Sequence, residues 1–110
     1  MAKKINKIYL EHILDSLVAI EKYLKKLERK TFINTPYLVD AVVRRFEIIG
    51  EASKRLPEDF KDKHQEIPWR DIADTRNFMI HQYFDVDPDE VWKYVKNDLP
   101  DFKKKIKKLL

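Results

Sequence analysis

From Leu10 onward, apolar residues return at steps of three and four: Leu10, Ile13, Leu14, Leu17, Ile20, Leu24 and Leu27. This spacing draws one stripe along a helix and predicts a first helix over about residues 3 to 28. A linker is expected around Lys30 to Asn34. Thr35 then offers a capping hydroxyl and Pro36 a first-turn proline, whose missing N–H costs nothing there. The second helix carries Leu38, Ala41, Val42, Phe46, Ile49 and Ala52 and should end at Pro57. Residues 58–66 are polar and read as a loop or a short helix. Pro68 opens a third helix reaching to about His81. Asp87, Pro88 and Glu90 combine a cap, a first-turn proline and a carboxylate three residues on, so a fourth helix starts there with Val91, Trp92, Val95 and Leu99. Pro100 should kink or split it. The expected fold is all-α, an antiparallel bundle of four to five helices. Residues 1–110 are expected to form a single domain, since no repeat or low-complexity linker divides them.

Composition narrows the picture further. The chain has one glycine, 38% charged residues and no cysteine. That balance suits long helices, and it excludes disulfides, thiol catalysis and cysteine-based zinc sites. Gly50 falls inside the second helix, where close helix packing is the preferred explanation over a partner approaching the backbone. No apolar run nears the ~20 residues that cross a bilayer, and Glu11, His12 and Asp15 interrupt what a signal peptide would keep apolar. A soluble, cytoplasmic protein is expected. The formal charge of +4 permits a nucleic-acid partner without requiring one. Lys103, Lys104, Lys105, Lys107 and Lys108 hold much of the excess, and such a run is ordinarily a solvated helix face.

The third helix carries an anomaly. With Arg76 set to zero and about 100° per residue, Trp69, Ile72, Ala73, Met79 and Ile80 all fall within about 60° of it, as does Tyr83 if the helix reaches it, while Asp71 and Asp74 point away. Arg76 thus sits in the middle of an apolar face. Desolvating a guanidinium costs several kcal/mol by general estimates, so the position demands a carboxylate, a phosphate or an interface cleft. Glu47 or Glu51 of the second helix could supply the carboxylate. Asn77 and His81 are four residues apart and meet on one flank of the same face. Arg76, Asn77, His81 and Tyr83 are also the groups that phosphodiester chemistry without a metal requires. Histidine moves a proton near neutral pH, and arginine stabilises charge developing on phosphate. Asparagine orients either group, and tyrosine donates a hydrogen bond or stacks on a base.

Arg76 to Tyr83 reads RNFMIHQY, and this run resembles the arginine, four residues, histidine, one residue, tyrosine motif of HepT-like toxins in the HEPN superfamily. The likeness extends through Ile67 to Ala73 (IPWRDIA), Phe46 to Pro57 (FEIIGEASKRLP), Asp87 to Trp92, and Asn97 to Pro100, in the family's order and spacing. The resemblance implies a HEPN bundle, a homodimer whose motif helices face a shared basic cleft, and metal-independent cleavage of RNA, with tRNA the expected target. It implies that Arg76 and His81 are catalytic and that Asn77 supports them. Tyr83 would be the acceptor of AMP from a partner nucleotidyltransferase antitoxin of the MNT type, completing a type VII toxin–antitoxin pair. Gln82 departs from the family, where glycine is frequent, and this puts the local backbone geometry in question.

Other chemistries fit poorly. Asp85, Asp87 and Asp89 alternate like the opening of a calcium loop, but Glu90 replaces its glycine and Lys96 its closing glutamate. His12, His64 and His81 lie on separate elements without zinc-ligand spacing. No glycine-rich loop is present to cradle a nucleotide phosphate, and no cofactor is expected. The competing functional class is a non-catalytic adaptor that binds a nucleotidyltransferase or nucleotides through the same cleft. A purely structural dimer, with Arg76 serving the interface, is the third.

Overall fold

The structure, a computed structural model, describes residues 2–74 and 87–110, with side chains from Lys4 onward. Among the described residues there is no strand, and the elements are seven helical segments. They are α1 (Ala2–Leu24), α2 (Arg29–Ile33), α3 (Pro36–Arg55), α4 (Glu58–Lys63), α5 (helical over 69–74), α6 (Pro88–Asn97) and α7 (Leu99–Leu109). The longer ones form the expected all-α bundle, while α2 and α4 are one-turn connectors.

Burial follows the predicted stripe. Leu10, Ile13, Leu17, Ile20 and Leu24 of α1 are all buried, and α3 answers with Val39, Val42, Val43, Phe46, Ile49 and Ala52. These two helices make the most extensive contact among the described residues. Gly50 and Ser53 are buried on the same face of α3, in line with the packing explanation for the glycine. Small residues there let a neighbouring helix come close. α7 runs antiparallel to α1: Lys103 pairs with Glu21 at 2.7 Å, and Leu109 shares a groove with Leu10 at the opposite end. Phe102 and Ile106 anchor α7 in the core, as Val91 and Val95 anchor α6.

Several boundaries differ from the sequence expectation, each for a local reason. α1 stops at Leu24 instead of continuing to residue 28, because Lys26 turns to φ 66° and the Leu27 N–H bonds back to the Leu24 carbonyl at 3.1 Å. A left-handed lysine costs about 1–2 kcal/mol and carries none of the glycine signal that normally marks such a stop. The expected linker at Lys30 to Asn34 is largely helical, and its Phe32 is fully buried, 5.6 Å from the Trp92 ring between centroids. Thr35 occupies the cap position of α3 but donates its hydroxyl backward to the Thr31 carbonyl at 2.6 Å, so it serves α2 instead. Pro36 does open α3, and Pro57 follows its end. Residues 58–63 take the helical alternative. Asp87 caps α6 as expected, accepting from the Asp89 N–H at 3.0 Å. Pro100 splits the last helix: α6 ends at Asn97, and α7 begins with Leu99 followed by the proline.

Candidate active site

The four residues singled out by the sequence, Arg76, Asn77, His81 and Tyr83, lie outside the described residues. What the structure defines is the frame on either side of them. Upstream, Ile67 and Ile72 are buried, and the Ile72 N–H bonds to the Pro68 carbonyl at 3.1 Å, closing the first turn of α5. Trp69 is half-buried, with its indole Nε1–H donating to the His64 carbonyl at 3.0 Å, which ties α5 to the end of α4. Asp71 and Asp74 are exposed, as the helical wheel requires. Ala73, placed by the same wheel at the edge of the apolar face, is exposed as well. α5 is therefore set against the core through Ile72, with Trp69 half-buried beside it.

Downstream, Asp87 and Asp89 hold the start of α6. Arg29 Nε donates to Asp89 Oδ1 at 2.5 Å, linking α2 to α6. This hydrogen bond holds the Asp89 carboxyl below the usual carboxylate range and raises the Arg29 guanidinium above its own. Lys93 stands one turn on, 3.9 Å from the same carboxylate. Trp92 fixes the far side of α6 between Phe32 and Lys96, whose ammonium lies 4.6 Å from the indole centroid. Two carboxylates of the discarded calcium loop thus already have structural work: one caps a helix and one grips an arginine.

Of the carboxylates considered for Arg76, Glu47 pairs with Arg44 on its own helix at 3.0 Å. A cavity of about 400 Å³ opens beside α5, against α6 and α7. Asp71, Asp74, Asn97, Asp98 and Asp101 line it with Tyr94. Asp101 is paired with Lys105 at 3.0 Å. Sequence reasoning did not find this cavity, since its residues are spread over three helices without a spacing pattern. With four aspartates in its wall it disfavours phosphate. Among the described residues no group of histidines and carboxylates is arranged to hold a metal ion, and no helix is long and apolar enough to cross a membrane.

Comparison with known proteins agrees with the family resemblance. A family model described as Ribonuclease HepT-like matches residues 13–109. A Methanocaldococcus jannaschii protein named "Gamma-glutamylcyclotransferase and putative RNase" is 46% identical over 104 residues, covering 94% of this chain and 47% of that protein. A Thermococcus cleftensis protein named "Probable ribonuclease HepT" is 45% identical over 107 residues, covering 97% of each. The chain thus spans about half of the first relative and nearly all of the second. No solved structure matches.

The Arg29–Asp89 link yields a test of the frame. A carboxyl with a lowered pKa adds stability above its unfolded value and loses it as pH falls through the folded one. Asp89→Asn should therefore melt below the wild type at neutral pH, with the gap closing as pH drops beneath the ordinary carboxylate range. Thermal melts from pH 7 to pH 2 measure this. A gap that persists in acid would mean the carboxylate charge is not what holds α6.

Proposed function

The chain belongs to the HepT-like ribonuclease family, and on that premise we propose that it is a metal-independent endoribonuclease, the toxin of a toxin–antitoxin pair. The observation that carries the proposal is the family match, whose span includes Arg76, Asn77, His81 and Tyr83. The frame supports it, because α5 and α6 are anchored in the core on both sides of the motif. An adaptor needs only the binding surface, whereas this chain keeps the arginine, the histidine and the tyrosine together.

The reaction is transesterification. His81 accepts the proton of a ribose 2′-hydroxyl as its oxygen attacks the adjacent phosphorus. The P–O5′ bond breaks, the leaving oxygen takes up a proton, and the products carry a 2′,3′-cyclic phosphate and a 5′-hydroxyl. Arg76 stabilises the extra negative charge of the pentacoordinate state, which is greater than that of the ground state. Asn77 holds one of the reacting groups in orientation. tRNA is the proposed substrate, and two copies of the chain form a two-fold dimer with both motif helices at one basic cleft. A nucleotidyltransferase antitoxin would silence the toxin by adding AMP to Tyr83. Each unit brings one phosphodiester charge and a purine, which neutralises the cation and blocks the strand's path.

Three outcomes follow. Cleavage should survive EDTA and fail on DNA. It should drop by about 10²-fold or more in Arg76→Ala and in His81→Ala, the usual scale for losing a charge-stabilising donor or a general base. Loss of cleavage on chelation would overturn the metal-independent route. Light scattering at micromolar concentration should give the mass of a dimer, and a monomer there would eliminate the shared cleft. Incubation with the cognate nucleotidyltransferase and ATP should add AMP mass at Tyr83 and stop cleavage. If Tyr83→Phe were modified equally, the acceptor would have to be another residue.

A further inference from the structure

The five C-terminal lysines are not equivalent. Lys103 is engaged with Glu21 and Lys105 with Asp101, whereas among the described residues Lys104, Lys107 and Lys108 have no ion pair. The unpaired three share one side of α7, within about 100° of one another. The end of α7 lies beside the start of α1 and the end of α4, and these three elements enclose a groove of about 520 Å³.

The groove has an apolar floor and a cationic rim. Leu10, Phe60 and Leu109 form the floor, and the His64 ring lies against Phe60 with centroids 4.6 Å apart. Lys7 and Lys63 stand on the rim, both exposed, and neither has an ion pair among the described residues. Asp59 is the one acidic side chain in the lining, yet it forms no ion pair with Lys63 one turn away. Lys61, on the same short helix, is satisfied by Glu58 at 3.4 Å, so the helix separates one paired lysine from one left open.

An occupant of this groove needs a flat or apolar body and negative charge spaced along its edge. A single strand of RNA has both: bases that stack on aromatic and apolar surface, and a phosphate at each step. We infer that the groove between α1, α4 and α7 is a second contact site for single-stranded RNA, with Lys7 and Lys63 on consecutive phosphates and a base on the Phe60 floor. The inference rests on the ribonuclease reading for its choice of polyanion. It places this contact on a different part of the bundle from the aspartate-lined cavity beside α5.

The experiment is fluorescence anisotropy with a fluorescein-labelled, fully 2′-O-methylated RNA strand, which binds but cannot be cleaved through its 2′-oxygens. Four proteins are compared: wild type, Lys7→Ala/Lys63→Ala, Lys7→Arg/Lys63→Arg, and Lys25→Ala/Lys30→Ala as a control of equal charge change. The groove alanine pair should bind about tenfold more weakly, and its salt dependence should flatten by about 1.4 in log–log slope, the loss of two single-strand phosphate contacts. The arginine pair should bind like wild type, and the control should change less than twofold. Equal losses in both alanine pairs, or none in the groove pair, would overturn the site. Cleavage of unmodified RNA by the wild type is scored separately. Groove-dependent binding without cleavage would leave the site standing and sink the ribonuclease reading. Cleavage by a groove variant with unchanged binding would do the reverse.

Discussion

The α1–α3 interface is the constraint on which the rest of the structure depends. Ile13, Leu17 and Ile20 on one side and Val42, Phe46 and Ile49 on the other are at most 4% exposed. Each such side chain is worth about 1.5–3 kcal/mol when removed from water, before chain entropy is charged against it. Among the described residues no other pair of helices offers comparable contact. The remaining helices join the same buried core by a few anchors each: Ile67 and Ile72 before the motif, Val91 and Val95 after it, Phe102 and Ile106 for the basic last helix. A motif on a marginal helix would be held loosely. Here the described residues on both sides of it are fastened into the common core.

Punctuation by proline and aspartate made much of this architecture legible in advance. Pro36, Pro88 and Pro100 each fix φ near the helical value and need no N–H partner in a first turn, so their positions are readable without tertiary information. Asp87 is readable for the same reason, since its carboxylate answers a local N–H. The failures have a different cause. Lys26 adopts a left-handed conformation that its residue type disfavours, and α2 is shorter than the span over which periodicity can speak. α2 is helical because Phe32 must reach the core beside Trp92, which is a tertiary demand. Thr35 shows the limit of local rules most directly: its hydroxyl sits between two helix ends, and competition between them sends it to the earlier one.

The candidate site divides along the same line. Arg76, Asn77, His81 and Tyr83 could be gathered from helical geometry alone, because an arginine in an apolar stripe contradicts its surroundings. The family resemblance then attached a chemistry to that contradiction, and the match over residues 13–109 shows the family. What could not be read was the frame. The Arg29–Asp89 link joins residues sixty positions apart, and nothing in either segment marks the other as its partner. The aspartate-lined cavity is equally invisible, because its wall is assembled from α5, α6 and α7.

The distribution of charge gives the modest formal excess of +4 a direction. A uniform spread of that charge would attract a polyanion weakly from every side. Instead, ion pairs neutralise Lys61, Lys103 and Lys105 where acids are at hand, and among the described residues Lys7 and Lys63 stay unpaired on helix ends that share one groove, as do Lys104, Lys107 and Lys108 along α7. Aspartates meanwhile gather beside α5. A polyanion approaching such a surface is drawn to one end and turned away from another, so electrostatics fixes orientation as well as affinity. On the proposed ribonuclease reading, an arginine that neutralises one phosphate would leave the rest of the strand to lysines that take no part in the chemistry.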